Sequence, residues 1–129
     1  MRVLLDTQCW LWCLLSPDRL NPAAREVITA FRDPIFLSAA SSWEIAIKVA
    51  IGKLTLPDKP ARYVPSALAE QGMNALPVEH SHALRVADLP PLHADPFDRM
   101  LVAQASSESL TLVTADPQLS AYGVPILRA

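Results

Sequence analysis

The chain has 129 residues, enough for one domain over residues 1–129 with a sizeable core and no need of disulfide or metal staples. Hydrophobic residues make up 51 % and charged residues 19 %, which excludes a disordered chain, and the net charge of −2 argues against broad nucleic-acid binding while leaving room for a local basic patch. No apolar run reaches the ~20 residues that span a bilayer. Asp6 interrupts the first apolar stretch, so no signal peptide is expected, and Cys9 and Cys13 are expected as reduced core thiols of a cytoplasmic protein.

Val3-Leu4-Leu5 is an apolar run of strand length that ends at Asp6. Thr7–Leu15 reads as a helix that is apolar on nearly every side, stopped by Ser16-Pro17-Asp18. Asn21-Pro22 has the form of an N-cap followed by proline at the first helical position, opening a helix to about Phe31. Asp33-Pro34 marks a turn, and Ile35-Phe36-Leu37 a second buried strand. Helical spacing follows from Ala40 to Val49, with Gly52 as the stop. Further helices are expected over Ala61–Glu70, Glu79–Leu89 and Pro96 to about Ser107. Ala75–Val78, Leu110–Val113 and Val124–Leu127 complete the strands, and Pro117 starts a short helical turn. Strands alternating with helices predict an α/β fold with a mostly parallel sheet, and neither repeat nor linker divides it.

In such sheets ligands bind beyond the carboxyl ends of the strands. Four acids belong to strand-to-helix junctions: Asp6, Glu44, Asp98 and Asp116. Each has an ordinary structural explanation beside the functional one. Ser41-Ser42-Trp43-Glu44 matches a capping box, which places Glu44 in a first helical turn. Asp95-Pro96-Phe97-Asp98 and Asp116-Pro117 match N-caps with proline behind them. Asp6, between an apolar strand and an apolar helix, faces a burial cost that only hydrogen bonds or a cation offset. Carboxylates converging on one sheet edge would need a cation, and hard oxygen ligands select Mg²⁺ or Mn²⁺ over zinc. His80 and His82 face different sides of a helix, and no metal role is expected for these or for His93. Gly52, Gly72 and Gly123 cannot form a glycine-rich phosphate loop.

The ordered set Leu4-Leu5-Asp6-Thr7, Ser41 to Lys48, Gly52-Lys53-Leu54, His93 to Arg99 and Thr114-Ala115-Asp116-Pro117 resembles the PIN-domain ribonucleases, and within them the VapC-like toxins of bacterial toxin–antitoxin pairs. The resemblance spans essentially the whole chain. It implies a three-layer α/β/α sandwich, an acidic pocket for Mg²⁺ or Mn²⁺, hydrolysis of RNA, a cognate antitoxin and a homodimer. Residue by residue, it implies that Asp6, Glu44, Asp98 and Asp116 are the catalytic and metal-binding acids, with the nearby Asp95 in a supporting place and as the alternative to Asp98 for the third acid. Thr7 and Thr114 look like hydroxyls that hold these acids or a metal-bound water. Cations at the pocket rim are required for RNA to approach, and Lys48, Lys53 and Arg99 are the candidates. The apolar helix Thr7–Leu15, with Trp10, Trp12 and Leu15, is expected to form a partner groove together with Asn21–Phe31. Two other classes compete: a PIN-like module that binds RNA or protein without cleaving, and a phospho-acceptor receiver domain. The second needs paired acids after the first strand, where Asp6 is instead followed by Thr7.

Overall fold

The structure, a computed structural model, describes residues 1–30 and 32–129. Among these, five strands form one sheet: β1 (Val3–Leu5), β2 (Ile35–Ser38), β3 (Asn74–Leu76), β4 (Thr111–Thr114) and β5 (Ile126–Arg128), in the order β3-β2-β1-β4-β5. All neighbouring pairs are parallel, with Leu4 of β1 opposite Phe36 on one side and Leu112 on the other. The helices are α1 (Thr7–Leu15), α2 (Pro22–Thr29), α3 (Ala39–Ala50), α4 (Pro60–Gln71), α5 (His80–Arg85) and α6 (Pro96–Glu108).

Strand alternation sorts the core into two layers. Val3 and Leu5 face one side, where they pack with Trp10 of α1, Ala24 and Ile28 of α2, Ile45 of α3 and Leu68 of α4. Leu4, between them, faces the other side and packs with Leu101, Val102 and Ala105 of α6. Val3, Leu4 and Leu5 are completely buried, and each buried side chain of this size contributes roughly 1.5–3 kcal/mol. A sheet covered on both faces explains why its central strand is uniformly apolar. The expected three-layer α/β/α sandwich is the observed fold.

Several boundaries differ from the sequence reading for identifiable reasons. The helix containing Glu44 starts at Ala39, because Ser38 caps it by accepting from the Ala40 amide at 3.0 Å. Glu44 therefore lies in the second turn, not the first, and the capping-box reading of Ser41 to Glu44 fails. The single helix expected over Glu79–Leu89 is broken into α5 and a 3-10 turn, Val86–Asp88. The carbonyls of Val86, Leu89 and Pro90 there accept from the Arg99 guanidinium, and Pro90 has no N–H with which to extend a helix. The helix that opens at Asn21 has Thr29 as its last residue, and the expected end at Phe31 lies outside the described residues. Pro125 delays the last strand to Ile126.

Candidate active site

The sheet order reverses at β1: the chain moves outward through β2 and β3, then returns to place β4 on the other side. Crevices at such switch points are where open α/β sheets hold ligands. Asp6 follows β1 directly, and Asp116 lies just beyond β4. Both double as helix caps, Asp6 Oδ1 accepting from the Cys9 amide at 2.6 Å and Asp116 Oδ1 from the Gln118 amide at 2.9 Å. Asp95 caps α6 by accepting from the Phe97 and Asp98 amides at 2.8 and 3.2 Å, which fixes the turn that carries Asp98. Glu44 arrives from α3, paired with Lys48 one turn later at 3.1 Å.

The four acids singled out in the sequence, and Asp95 with them, line one cavity of about 410 Å³. Thr7, Gln8, Leu11, Trp12, Lys48 and Ala115 complete its wall. Crowding has electrostatic consequences. Burial, then the neighbouring Asp95, pushes the Asp98 carboxyl up to about 6, and Asp6 and Glu44 add to the shift. Burial also raises Asp6, against the Thr114 hydroxyl and the amides of Cys9 and Ala115, which favour its charged form. A divalent cation would reverse both shifts, and a donor set of aspartate and glutamate oxygens fits Mg²⁺ or Mn²⁺.

Thr114 is buried beside both strand-end acids: it favours the charged form of Asp6, and its hydroxyl accepts from the Asp116 amide at 3.1 Å. Other expected site residues are corrected. Thr7 lines the cavity, but its hydroxyl donates to Ser41 Oγ at 2.9 Å, tying α1 to α3 instead of holding an acid. Arg99 does not point a free charge at the rim; besides three carbonyls it donates to the Tyr122 hydroxyl at 3.2 Å. Trp10 cannot wall a partner groove, since it is 0 % exposed and its Nε1 donates to Gln71 Oε1 at 2.9 Å. Trp12 is half-buried, with the Arg19 guanidinium 5.4 Å from its ring centroid, and Leu15 is 46 % exposed.

Two residues escaped the sequence reading. Arg19 joins Gln8, Trp12, Leu15, Lys48 and Lys53 in a trough of about 190 Å³ that shares a wall with the acidic cavity. His93, set aside as a metal ligand, places Nε2 2.9 Å from Asp116 Oδ2 and 3.7 Å from Asp98 Oδ2. The ligand atoms of His93, Asp98 and Asp116 all lie within 4.8 Å of one another. The one local signal for His93 was its position two residues before an N-cap.

Known proteins share the fold. Ribonuclease VapC16 of Mycobacterium tuberculosis is 43 % identical over 68 residues, 53 % of this chain and 48 % of that protein, so the matched part spans about half of the relative's length. The DNA-bound VapBC2 of Rickettsia felis superposes with a TM-score of 0.73 at 14 % identity, covering 99 % of this chain and 98 % of that one. The DNA-bound VapBC of Salmonella typhimurium gives 0.72 at 16 % identity, with the same coverage. At such identities the structures speak for the fold alone. A family profile described as PIN domain matches residues 3–125, which include every acid of the cavity. The chain belongs to the PIN domain family.

Proposed function

We propose that this chain is a VapC-like toxin, a Mg²⁺- or Mn²⁺-dependent endoribonuclease held in check by a cognate antitoxin in the cytoplasm. The observation that carries the reading is the convergence of five carboxylates on one cavity, two of them pushed toward their neutral form by burial and by neighbouring acids. Asp6, Asp98 and Asp116 are the residues that would hold the ion, with Glu44 beside them. When bound, the ion lowers the pKa of water and neutralises charge developing on a phosphate. Asp98 is taken as the third acid because Asp95 Oδ1 accepts from both the Phe97 and Asp98 amides, which gives Asp95 the part of cap to α6. Thr114 keeps the Asp6 carboxylate and the Asp116 backbone in register. RNA would approach over the trough of Arg19, Lys48 and Lys53, where cations offset the repulsion between phosphates and the acids.

Two surfaces suit the partners. Cys13, Leu20, Ile28 and Met73 line a cavity of about 200 Å³ between α1, α2 and α4, apolar enough for a side chain of an antitoxin helix. Beside the active site, Ala40, Trp43, Phe97 and Met100 line an apolar cavity of about 480 Å³ in which Trp43 is 64 % exposed, a face suited to a second copy of the chain. An antitoxin partner is in keeping with the solved structures described as VapBC complexes. Sequencing of RNA ends after induced expression tests the activity: new 5′ ends at defined sites are expected for the native chain and not for Asp98→Asn. Binding of RNA without new ends would make the chain a non-cleaving module instead.

A further inference from the structure

We propose that His93 is a positioning residue that aims the Asp116 carboxylate and couples it to the loop carrying Asp98; the proposal deepens the nuclease reading and rests on it. The Asp95 amide donates to His93 Nδ1 at 3.1 Å. A ring nitrogen that accepts a hydrogen bond offers its lone pair there, which leaves Nε2 as the ring's donor. That Nε2–H lies 2.9 Å from Asp116 Oδ2 and donates to it. With its proton directed there, Nε2 has no lone pair for a cation. His93 therefore holds an acid in place and is not itself a ligand.

The other contacts of Asp116 make the arrangement complete. Its Oδ1 is committed to the Gln118 amide, and its own amide donates to Thr114 Oγ1. Only the Oδ2 side is left to be aimed, and His93 aims it. Asp95 plays two parts at once: its carboxylate caps the helix that bears Asp98, and its amide sets the tautomer of the ring that bonds Asp116. The segment His93-Ala94-Asp95-Pro96-Phe97-Asp98 thus ties the third acid to the fourth across the switch point.

The molecule contains its own control. His82 has the same wiring, accepting the Glu79 amide on Nδ1 at 3.0 Å and bonding Glu108 Oε1 through Nε2 at 2.7 Å. It is buried and does not line the acidic cavity. Similar geometry in a purely structural place shows what the bond does without the acids around it.

The test combines Mn²⁺ affinity by electron paramagnetic resonance, ¹⁵N spectra of the histidines, and cleavage kinetics on the full chain. His93→Ala is expected to weaken Mn²⁺ binding about 10- to 100-fold and to lower kcat for RNA with little change in KM. His93→Gln, whose amide both accepts and donates, should recover part of both losses, and it serves if the alanine variant folds poorly. His82→Gln should lower thermal stability and leave Mn²⁺ affinity within about twofold. The ¹⁵N spectra should place the His93 proton on Nε2. A proton on Nδ1, or native Mn²⁺ affinity and kcat in both His93 variants, overturns the proposal. A native chain that cleaves no RNA but loses Mn²⁺ affinity on His93→Ala keeps the positioning role and removes the ribonuclease reading.

Discussion

Two cavities of similar volume, about 410 and 480 Å³, are built from the same two helices and have opposite chemistry. α3 gives Glu44 and Lys48 to the acidic one and Ala39, Ala40 and Trp43 to the apolar one. The start of α6 gives Asp95 and Asp98 to the first and Pro96, Phe97 and Met100 to the second. Trp43 and Glu44 are adjacent in sequence, as are Phe97 and Asp98, and a helix separates neighbours by about 100° around its axis. Trp43 and Phe97 meet edge to face at 5.2 Å, so the apolar wall is partly self-satisfied. The acids instead crowd one another: Asp95, Asp6 and Glu44 add to burial in raising the Asp98 carboxyl. Under the proposed function, a cation and a polyanion would complete the first cavity and apolar surface the second.

The sharpest way to break the comparison is to remove charge from the acidic side alone. Asp6→Asn and Asp98→Asn should each lower RNA cleavage by at least about 1000-fold, and the double variant should be little worse than either, because the ligands act as one unit. Single-turnover cleavage of a mapped RNA substrate checks this. Asp95→Asn keeps the cap and should retain cleavage within about tenfold; a collapse there with Asp98→Asn active would exchange the two acids.

Changing the apolar side should have the converse effect. Trp43→Glu is expected to weaken self-association at least about tenfold by sedimentation, while Mn²⁺ affinity stays within about twofold. On the rim, Arg19→Gln and Lys53→Gln should each reduce the salt slope of RNA binding by about one, measured on the Asp98→Asn chain so that cleavage does not interfere.

The pH dependence sharpens the same contrast. Asp98 titrates near 6 in the folded chain, above its ordinary carboxylate value of 3.8. The folded state therefore binds the proton more tightly than the unfolded one, so this group's contribution to stability is full below about pH 4 and is lost as pH rises through 6. Thermal melts of the metal-free chain should show that loss, and Asp98→Asn or added Mn²⁺ should diminish it. The smallest effect is expected for Asp95→Ala, about 1 kcal/mol of stability through the lost cap, read from denaturant midpoints.

Legibility in the sequence followed the range of the interaction. Asn21-Pro22, Asp95-Pro96 and Asp116-Pro117 act within their own turns, and each caps the segment it was expected to open. The acidic cavity was readable because strand ends of a parallel sheet converge wherever the helices lie. Ser38 was missed as a cap because it also closes β2, and a residue shared by two elements gives no separate local signal. Trp10 and Trp12 stand in one apolar helix, and only packing beneath the sheet buries the first and leaves the second beside Arg19. Arg99 and His93 are defined by partners far along the chain, the carbonyls at Val86 to Pro90 and the carboxylate of Asp116. Neither partnership leaves a mark at the residue itself.

The central claim is that the acidic cavity cleaves RNA through a bound divalent cation. Its most direct test is cleavage of a defined single-stranded RNA by the purified, antitoxin-free chain, in Mn²⁺ and in excess EDTA, with Asp98→Asn run alongside. Cleavage that appears only for the native chain in Mn²⁺ is the predicted result. Equal cleavage in EDTA, or by the Asp98→Asn chain, would contradict it.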